Sequence, residues 1–299
     1  MAVAATGFFD GVHLGHRAVI ETLLKTARER SEQSLILTFW PHPRTVLRGG
    51  SRDLRLLTSL EEKREMLLAL GVDRVEVIPF TRDFAALTAR EYLEMLRRDY
   101  GVTSIVLGYD NRFGSDGLST DEIAKLAEDI SMGPEVVSSQ QIRATLGGEL
   151  YSPPDIVISS TKIRKALGVG DVREAAQMLG YEYCLSGVVV SGNMMGRTIG
   201  FPTANMKLRE PLKCLPKVGA YLTRVEVEGK QLWGMTNIDH NEKIETNIFD
   251  FSDEIYGLDL KVTFVDKLRD EIHFNSFEEL RGQLVRDRET ALQTITGWR

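Results

Sequence analysis

One stretch organises the first half of the chain: Gly7-Phe8-Phe9-Asp10-Gly11-Val12-His13-Leu14-Gly15-His16-Arg17. The apolar run before it, residues 2–5, predicts the end of a first β-strand. Residues 18–24 after it carry apolar side chains at helical spacing. The stretch is therefore a glycine-rich turn between a strand and a helix. Such a turn lets the backbone approach a phosphate, and the helix N-terminus adds unpaired N–H donors and a positive dipole end.

Two histidines, His13 and His16, stand three residues apart at the helix entrance, so their side chains can point the same way. Donors held at this position stabilise the charge that phosphate oxygens gain during nucleotidyl transfer. The short pattern H-x-G-H also occurs by chance, which leaves two surface histidines at a helix start as the plain structural alternative. The strand–turn–helix context favours the phosphate site.

Strand and helix signals alternate from this turn to about residue 180. Apolar runs at residues 34–39, 74–79 and 104–108 predict further strands. Capping boxes predict helix starts at Ser59 with Glu62, Thr88 with Glu91, and Ser119 with Glu122. The alternation predicts a Rossmann-like parallel sheet with helices on both faces. Ligands of such sheets bind beyond the carboxyl ends of the strands.

A second candidate phosphate site begins the helix that follows residue 158. Ser159, Ser160 and Thr161 offer hydroxyl and N–H groups at a helix start, and Arg164 adds a fixed positive charge. An ordinary serine N-cap explains the same residues when they are taken alone. Together with the two histidines, they indicate a second part of one nucleotide site.

The pattern changes near Tyr181, where β-type runs with turn residues between them replace the helical capping signals. The runs are residues 185–190, 220–227, 231–238, 243–250 and 258–265. Their spacing predicts a small closed barrel, and Ser276 with Glu279 predicts a final helix. We therefore expect a parallel-sheet domain over residues 1–180 and a barrel domain with a C-terminal helix over residues 181–299.

Phosphate-transfer chemistry is also indicated in this second half. Thr203 and Asn205 offer a hydroxyl and an amide oxygen on one side of an extended segment, where they could complete a Mg²⁺ shell formed by ATP phosphates and water. A kinase that acts on a hydroxyl benefits from a carboxylate, which Glu245 could supply. A solvated strand carboxylate is the structural alternative for Glu245.

Composition limits the possible partners. A formal net charge of −6 over 299 residues argues against a general nucleic-acid or membrane-surface binder. The two cysteines, Cys184 and Cys214, are expected to be free thiols. No apolar run reaches membrane-spanning length, and no signal peptide follows Met1. We expect a cytoplasmic monomer that acts on small molecules, with no nucleic-acid or membrane partner.

Three motifs carry a resemblance to one family. The turn at residues 7–17, the run Gly196-Arg197-Thr198-Ile199-Gly200-Phe201-Pro202-Thr203-Ala204-Asn205 and the segment around Glu245 resemble bacterial bifunctional riboflavin kinase/FMN adenylyltransferases. The resemblance spans Gly7 to about Arg288. It implies a nucleotidyltransferase-type sheet domain that converts FMN and ATP to FAD and pyrophosphate. It also implies a barrel that converts riboflavin and ATP to FMN and ADP, with Mg²⁺ in both steps.

The resemblance also implies roles for individual residues. The catalytic set is His13, His16, Arg164 and Glu245. The ATP-binding set is Gly7, Phe9, Asp10, Gly11, His13, His16, Ser159, Ser160, Thr161, Arg164, Gly196 and Gly200. The flavin-binding set is Asp110, Asn111, Arg112, Phe113 and Arg269. The Mg²⁺ ligands are Thr203 and Asn205.

The sequence departs from the family pattern at four places. Asn111 replaces an aromatic residue, residues 115–118 replace the usual basic residue and glycine, Asn247 replaces a histidine, and the loop at residues 237–242 is short. Two alternatives stay open. The short loop and Asn247 indicate the first, a monofunctional FMN adenylyltransferase whose barrel is a flavin-binding or structural module. The second arises because the H-x-G-H pattern serves many nucleotidyltransferases. It is a nucleotidyltransferase for a different small alcohol phosphate, against which the segment at residues 202–205 argues.

Overall fold

A computed structural model of the chain describes residues 1–47, 54–108, 112–137, 158–192 and 195–297, with the backbone alone at residues 195 and 197. The described chain forms two compact units, Met1–Ser160 and Thr161–Arg299. Compactness assigns residues 161–180 to the second unit, whereas the sequence predicts a domain boundary after residue 180. That boundary stays a prediction.

The first unit is built on a parallel sheet. Its strands are β1 (Ala2–Thr6), β2 (Gln33–Trp40), β3 (Arg74–Pro79), β4 (Val102–Gly108) and β5 (Gly133–Val137). They lie in the order β3-β2-β1-β4-β5, and each neighbouring pair is parallel. The predicted parallel sheet is confirmed, with β1 at its centre.

Helices connect these strands. They are α1 (Leu14–Arg30), α2 (Pro43–Leu47), α3 (Leu60–Ala69), α4 (Arg82–Ala85), α5 (Ala89–Tyr100) and α6 (Thr120–Asp129). The predicted capping boxes at Ser59, Thr88 and Ser119 are each present with both of their hydrogen bonds. Each box satisfies two backbone donors at a helix start, which is why α3, α5 and α6 begin at the predicted residues.

The sheet has a hydrophobic core on each face. Alternate residues of β1 point to opposite faces, so Val3 and Ala5 join one core while Ala2 and Ala4 join the other. The first core contains Leu23 of α1 and Leu67 of α3, and the second contains residues of α5 and α6. Helices on both faces leave only the ends of the strands open, so the loops at the carboxyl ends form the site.

The second unit contains a closed barrel. Helices α7 (Ser160–Val169) and α8 (Val172–Leu179) precede the strands β6 (Cys184–Val190), β7 (Ala204–Leu208), β8 (Gly219–Val227), β9 (Lys230–Ile238), β10 (Ile244–Ile248) and β11 (Asp259–Asp270). The barrel order is β10-β7-β6-β11-β8-β9. The predicted barrel is confirmed; its β7, which holds Asn205, was not among the predicted strands.

Two helices complete the unit: the short α9 (Met195–Thr198) and the C-terminal α10 (Phe277–Gly297). Apolar residues of α10, including Leu284 and Ala291, pack on a barrel core that contains Leu222 and Met235. No helix in the described part of the chain is both long enough and apolar enough to cross a membrane.

A buried ion pair also fastens α10 to the barrel. Arg269 at the end of β11 donates from Nε to both carboxylate oxygens of Asp287, at 2.9 and 3.1 Å. Asp287 is 4% exposed, and it also accepts a hydrogen bond from Gln283 at 2.8 Å. The Arg269 side chain is engaged in holding α10, and its predicted contact with flavin stays a prediction.

We expect Asp287→Asn to lower the free energy of unfolding of the barrel unit by about 3 kcal/mol, because it leaves the Arg269 charge, whose side chain is only 15% exposed, without its partner. Urea denaturation monitored by circular dichroism measures the change. The matched control is Asp250→Asn, which removes an exposed pair of the same helix with Arg288 at 2.8 Å. Exposed pairs contribute about 0–1 kcal/mol. Equal effects of the two changes would contradict this account of Asp287.

Candidate active sites

The glycine-rich turn lies at the carboxyl end of β1. Three of its residues have positive φ angles: Phe9 at 52°, Gly11 at 83° and Val12 at 38°. Glycine adopts such angles freely, whereas the left-handed region costs a residue with a side chain about 1–2 kcal/mol. Strain of this kind persists where surrounding contacts hold it, and it concentrates at ligand sites. The turn therefore depends on contacts with other parts of the unit.

Asp10 provides some of these contacts. Its Oδ1 accepts hydrogen bonds from the N–H groups of Leu57 at 2.9 Å and Thr58 at 3.2 Å. The Gly11 N–H in turn donates to the Thr58 hydroxyl at 3.1 Å. Asp10 is buried and fastens the turn to residues 57–58. Its predicted contact with ATP stays a prediction.

The two histidines lie together at the start of α1. His13 is the N-cap residue, and its Nδ1 accepts a hydrogen bond from the His16 N–H at 3.3 Å. The imidazole rings stack with their centroids 3.6 Å apart and an angle of 14° between their planes. The spacing of three residues thus places both side chains side by side, as the sequence predicts.

His16 is a neutral imidazole at pH 7. Burial of its ring lowers the pKa of His16 well below 6.5, and repulsion from His13 and Lys63 lowers it further. The residue as a whole is half-buried, with the Phe9 ring packed edge-on at a centroid distance of 5.2 Å. Its Nδ1 has no hydrogen-bond partner among the described residues. This buried nitrogen has no protein partner, and the half-buried ring leaves part of its surface open to a ligand.

The start of α7 lies beside the same turn. The Ser160 hydroxyl donates to the Asp10 carbonyl oxygen at 3.0 Å. A Cβ on Gly15 would lie 3.7 Å from the carbonyl oxygen of Ile158. Residues 158–160 therefore lie beside the turn, and the ATP contacts of Ser159 and Ser160 stay predictions. Thr161 and Arg164 belong to the second unit, and their contacts with ATP stay predictions.

Lys63 lies under the turn and was not predicted as a site residue. It is 1% exposed, and its Nζ donates to the Phe8 carbonyl oxygen at 2.8 Å. The ammonium also lies over the Phe8 ring, 3.9 Å from its centroid. A lysine in the first turn of a helix is normally solvated, so no sequence pattern distinguishes this one.

The predicted flavin loop is described in part. Asp110 and Asn111 lie outside the described residues. Arg112 is exposed, whereas the Phe113 ring packs edge-on against Tyr92 at a centroid distance of 5.1 Å. The Tyr92 hydroxyl shares a hydrogen bond of 2.6 Å with the Thr6 hydroxyl at the end of β1. Phe113 therefore lies at the same edge of the sheet as the turn.

An aromatic cluster that the sequence did not predict extends from Phe113. Neighbouring rings have centroids 5.1 to 5.8 Å apart. The members are Phe39, Phe80, Phe84, Tyr92 and Phe113. Aromatic faces at a strand end are suited to packing against a planar aromatic ligand. The cluster therefore supports a flavin site at this edge of the sheet.

The segment after Phe113, which departs from the family pattern, packs against the start of α5. Gly114 has a φ of 86°, and a Cβ there would lie 2.8 Å from the Cα of Ala89. Asp116 accepts a hydrogen bond from the Ala89 N–H at 3.0 Å. The acidic residue at position 116 thus caps α5 and holds this segment against the helix start.

The predicted metal ligands lie in the barrel unit. Asn205 is 7% exposed, and its Oδ1 has no hydrogen-bond partner among the described residues. A Cβ on Gly192 would overlap the Asn205 amide group, and one on Gly196 would lie 3.3 Å from the Thr203 hydroxyl. Gly192 and Gly196 therefore pack closely against the two predicted ligands, at positions where a larger residue would not fit.

A cavity of about 440 Å³ opens beside Thr203 and Asn205. Its lining also includes Val189, Thr246, Asp253 and Tyr256. Gly196 and Gly200, which are predicted to bind ATP, belong to the adjoining loop. The Phe201 N–H donates to the Gly196 carbonyl at 2.8 Å, and Gly200 has a φ of 83° that closes the turn. The cavity is the candidate nucleotide site of this unit.

Glu245 on β10 lies next to Asn205 on the neighbouring strand β7. The two residues are partners in the antiparallel register of β10 and β7, so their side chains share one face about 5 Å apart at Cβ. The Glu245 carboxylate forms an ion pair with Lys243 and is 31% exposed. The sequence did not predict this lysine contact, since it depends on the conformation of the loop before β10.

The other departures from the family pattern form defined contacts. The Asn247 amide donates to the Pro202 carbonyl at 2.7 Å, which holds the segment that carries Thr203. In the short loop, Asp239 accepts hydrogen bonds from the N–H groups of Asn241 at 2.8 Å and Lys243 at 2.9 Å. Asn247 therefore positions the segment that carries the predicted Mg²⁺ ligands. Asp239 closes the shortened loop through hydrogen bonds with the backbone of that loop.

Comparisons with known proteins identify both domains. Residues 1–146 match the family model described as FAD synthetase, and residues 179–295 match the one described as riboflavin kinase. The bifunctional riboflavin kinase/FMN adenylyltransferase of Listeria monocytogenes is 37% identical, covering 96% of this chain and 90% of its own. The protein of the same description from Bacillus subtilis is 34% identical, covering 100% of this chain and 94% of its own.

A solved structure shares the whole architecture. The crystal structure titled as a macrolide-efflux protein from Streptococcus pneumoniae has a TM-score of 0.84 and 31% identity. The match covers 97% of this chain and 93% of that one. Two matched domains and near-complete coverage of the curated relatives favour the bifunctional hypothesis over both alternatives. The chain belongs to the bifunctional riboflavin kinase/FMN adenylyltransferase family and carries both of its domains.

Proposed function

We propose that the chain makes FAD in two separate phosphate transfers, one in each unit. The observation that carries this proposal is that each unit holds its own set of groups for phosphate chemistry. The first has His13 and His16 on the glycine-rich turn. The second has Asn205, which lines the cavity, and Glu245, its register partner on the neighbouring strand.

In the first unit, a phosphate oxygen of FMN attacks the α-phosphorus of ATP, and pyrophosphate leaves. The reaction requires no covalent intermediate with the protein, so positioned donors supply the catalysis. His13 and His16 donate ring N–H groups to phosphate oxygens, and backbone N–H groups of the turn add further donors. Arg164 stays the residue that the sequence predicts to contribute a fixed charge to the phosphates. The aromatic cluster around Phe113 holds the flavin ring.

In the second unit, a riboflavin hydroxyl oxygen attacks the γ-phosphorus of ATP, and ADP leaves. Glu245 orients the hydroxyl and accepts its proton as the new P–O bond forms. The Lys243 ammonium holds the carboxylate in position through their ion pair. The resulting FMN carries the phosphate that the first unit requires.

The Mg²⁺ expected from the sequence fits the barrel site. The unpartnered Oδ1 of Asn205 and the hydroxyl of Thr203 are oxygen ligands of the kind that Mg²⁺ prefers, and ATP phosphates and water would complete the shell. In the described ranges no cluster of three His, Cys, Asp or Glu side chains could hold a metal alone. The ion supplies neutralisation of phosphate charge when it is bound.

The test is a product assay with the full chain. Riboflavin, ATP and Mg²⁺ are expected to yield FMN, ADP, FAD and pyrophosphate, with the flavins separated by chromatography. FAD from supplied FMN without FMN from riboflavin would support the monofunctional alternative. The absence of any flavin product would refute the proposal. The monomeric state and the cytoplasmic location stay predictions.

A further inference from the structure

The burial of Lys63 is only partly compensated by its contacts, which include the Phe8 ring beneath the ammonium. An ammonium group carries three N–H donors, but Nζ has a single hydrogen-bond acceptor among the described residues, the Phe8 carbonyl. No carboxylate in the described part of the chain forms an ion pair with it. Lysine is almost never fully buried unless it is paired. The buried Lys63 ammonium therefore destabilises the fold.

The one hydrogen bond acts on the glycine-rich turn. The Phe8 carbonyl accepts from Lys63 at 2.8 Å and also from the Thr38 hydroxyl at 3.2 Å, which fixes the direction of the Phe8–Phe9 peptide. In a trans peptide the N–H points opposite to the carbonyl. The Phe9 N–H is therefore directed away from Lys63. Phe9 has a positive φ of 52°, so this peptide is strained and requires such a restraint.

Several charged and titratable groups surround the ammonium. Asp10 on the turn and His16 on α1 interact with it electrostatically, and His42 packs edge-on against the Phe8 ring from the loop after β2. Glu62 on its own helix is engaged in the capping box with Ser59. Burial lowers the pKa of Lys63 from 10.5 to about 8, although the Asp10 carboxylate opposes the shift.

We propose that Lys63 is a positioning residue for adenylyl transfer, which holds the Phe8–Phe9 peptide so that the Phe9 N–H is presented to a phosphate of ATP. This inference rests on the proposed function of the first unit. The charged ammonium keeps the carbonyl turned inward. Once Lys63 loses its proton, the restraint on the peptide weakens and ATP binds in a poorly oriented state.

The experiment measures kcat and KM for ATP in FAD formation from supplied FMN, with Lys63→Met, Lys63→Arg and the unmodified chain. We expect Lys63→Met to lower kcat/KM for ATP by at least ~10-fold, since a misplaced donor can cost about that much or more. Phosphorylation of riboflavin is expected to stay unchanged. The matched control is Lys25→Met, which removes a lysine whose side chain is 70% exposed.

The pH profile and the unfolding temperature distinguish positioning from a purely structural role. In the unmodified chain, kcat/KM for ATP is expected to fall above pH 8 as the ammonium loses its proton. Lys63→Arg keeps its charge and is expected to shift this decline beyond pH 10. Lys63→Met is expected to unfold at the same or a higher temperature, because it removes a buried charge.

Three results would overturn the inference. One is a kcat/KM for Lys63→Met within threefold of the unmodified value. Another is a kcat/KM for ATP of the unmodified chain that does not decline near pH 8. The third is a decline of kcat/KM that stays near pH 8 in Lys63→Arg. If Lys63→Met fails to fold, the pH profiles of the unmodified chain and of Lys63→Arg decide whether the inference stands. An unmodified chain that makes no FAD from FMN would instead refute the proposed function itself.

Discussion

We expect Glu245→Gln to lower the rate of riboflavin phosphorylation by ~10²–10⁴-fold, the range for loss of a positioned acid or base. FAD formation from supplied FMN should stay near that of the unmodified chain. Glutamine keeps the volume of the side chain and removes its charge. The carboxylate is 31% exposed and its lysine partner 38%, so the unpaired Lys243 remains hydrated and folding should change little.

The measurement is a paired assay, once with riboflavin and once with FMN as the flavin substrate. The matched control is Glu226→Gln on β8, a barrel carboxylate that accepts a hydrogen bond from Gln231 at 2.9 Å. Unlike Glu245, it has no register partner that lines the cavity. Unchanged riboflavin conversion in Glu245→Gln would mean that Glu245 is only a strand residue. Equal loss of both activities would require one shared site or misfolding, against the two-site proposal.

Most of the fold could be predicted because its signals are local. Capping boxes and apolar runs depend on residues within a few positions of each other, and they located α3, α5 and α6. The missed strands lack such signals. β5 begins with Gly133 and Pro134, which the sheet tolerates because β5 is an edge strand. β7 buries the polar Asn205, which breaks the usual alternation of apolar residues.

The residues of a candidate site could be predicted only where they lie in one short sequence motif. His13 and His16 lie three residues apart, so helix geometry alone brings them together. The contact of Lys63 with Phe8 and that of Asp10 with residues 57–58 join positions about 50 apart in the sequence. Long-range contacts of this kind depend on packing of the whole unit. The aromatic cluster around Tyr92 likewise draws its rings from several loops and helices.

The last prediction concerns the phosphate donors of the first unit. We expect His16→Ala to lower FMN adenylylation by at least ~10²-fold, the effect of losing one donor that stabilises the transition state. By the rate equation this corresponds to about 2.7 kcal/mol. The ring of His16 is neutral at pH 7, and its Nδ1 is unpartnered among the described residues. Within the described residues the His16 side chain makes ring contacts with His13 and Phe9 but no hydrogen bond, so we expect the loss to fall mainly on catalysis.

Riboflavin phosphorylation should persist in the same protein, because Asn205 and Glu245 belong to the other unit. Since the His16 ring also stacks on His13, thermal unfolding is measured alongside both rates, and Glu21→Ala on the exposed face of α1 is the control for a change in the same helix. A folded His16→Ala protein with normal FAD output would show that the stacked histidines only cap the helix. The phosphate donors would then have to be sought among the backbone N–H groups of the turn and the residues at the start of α7.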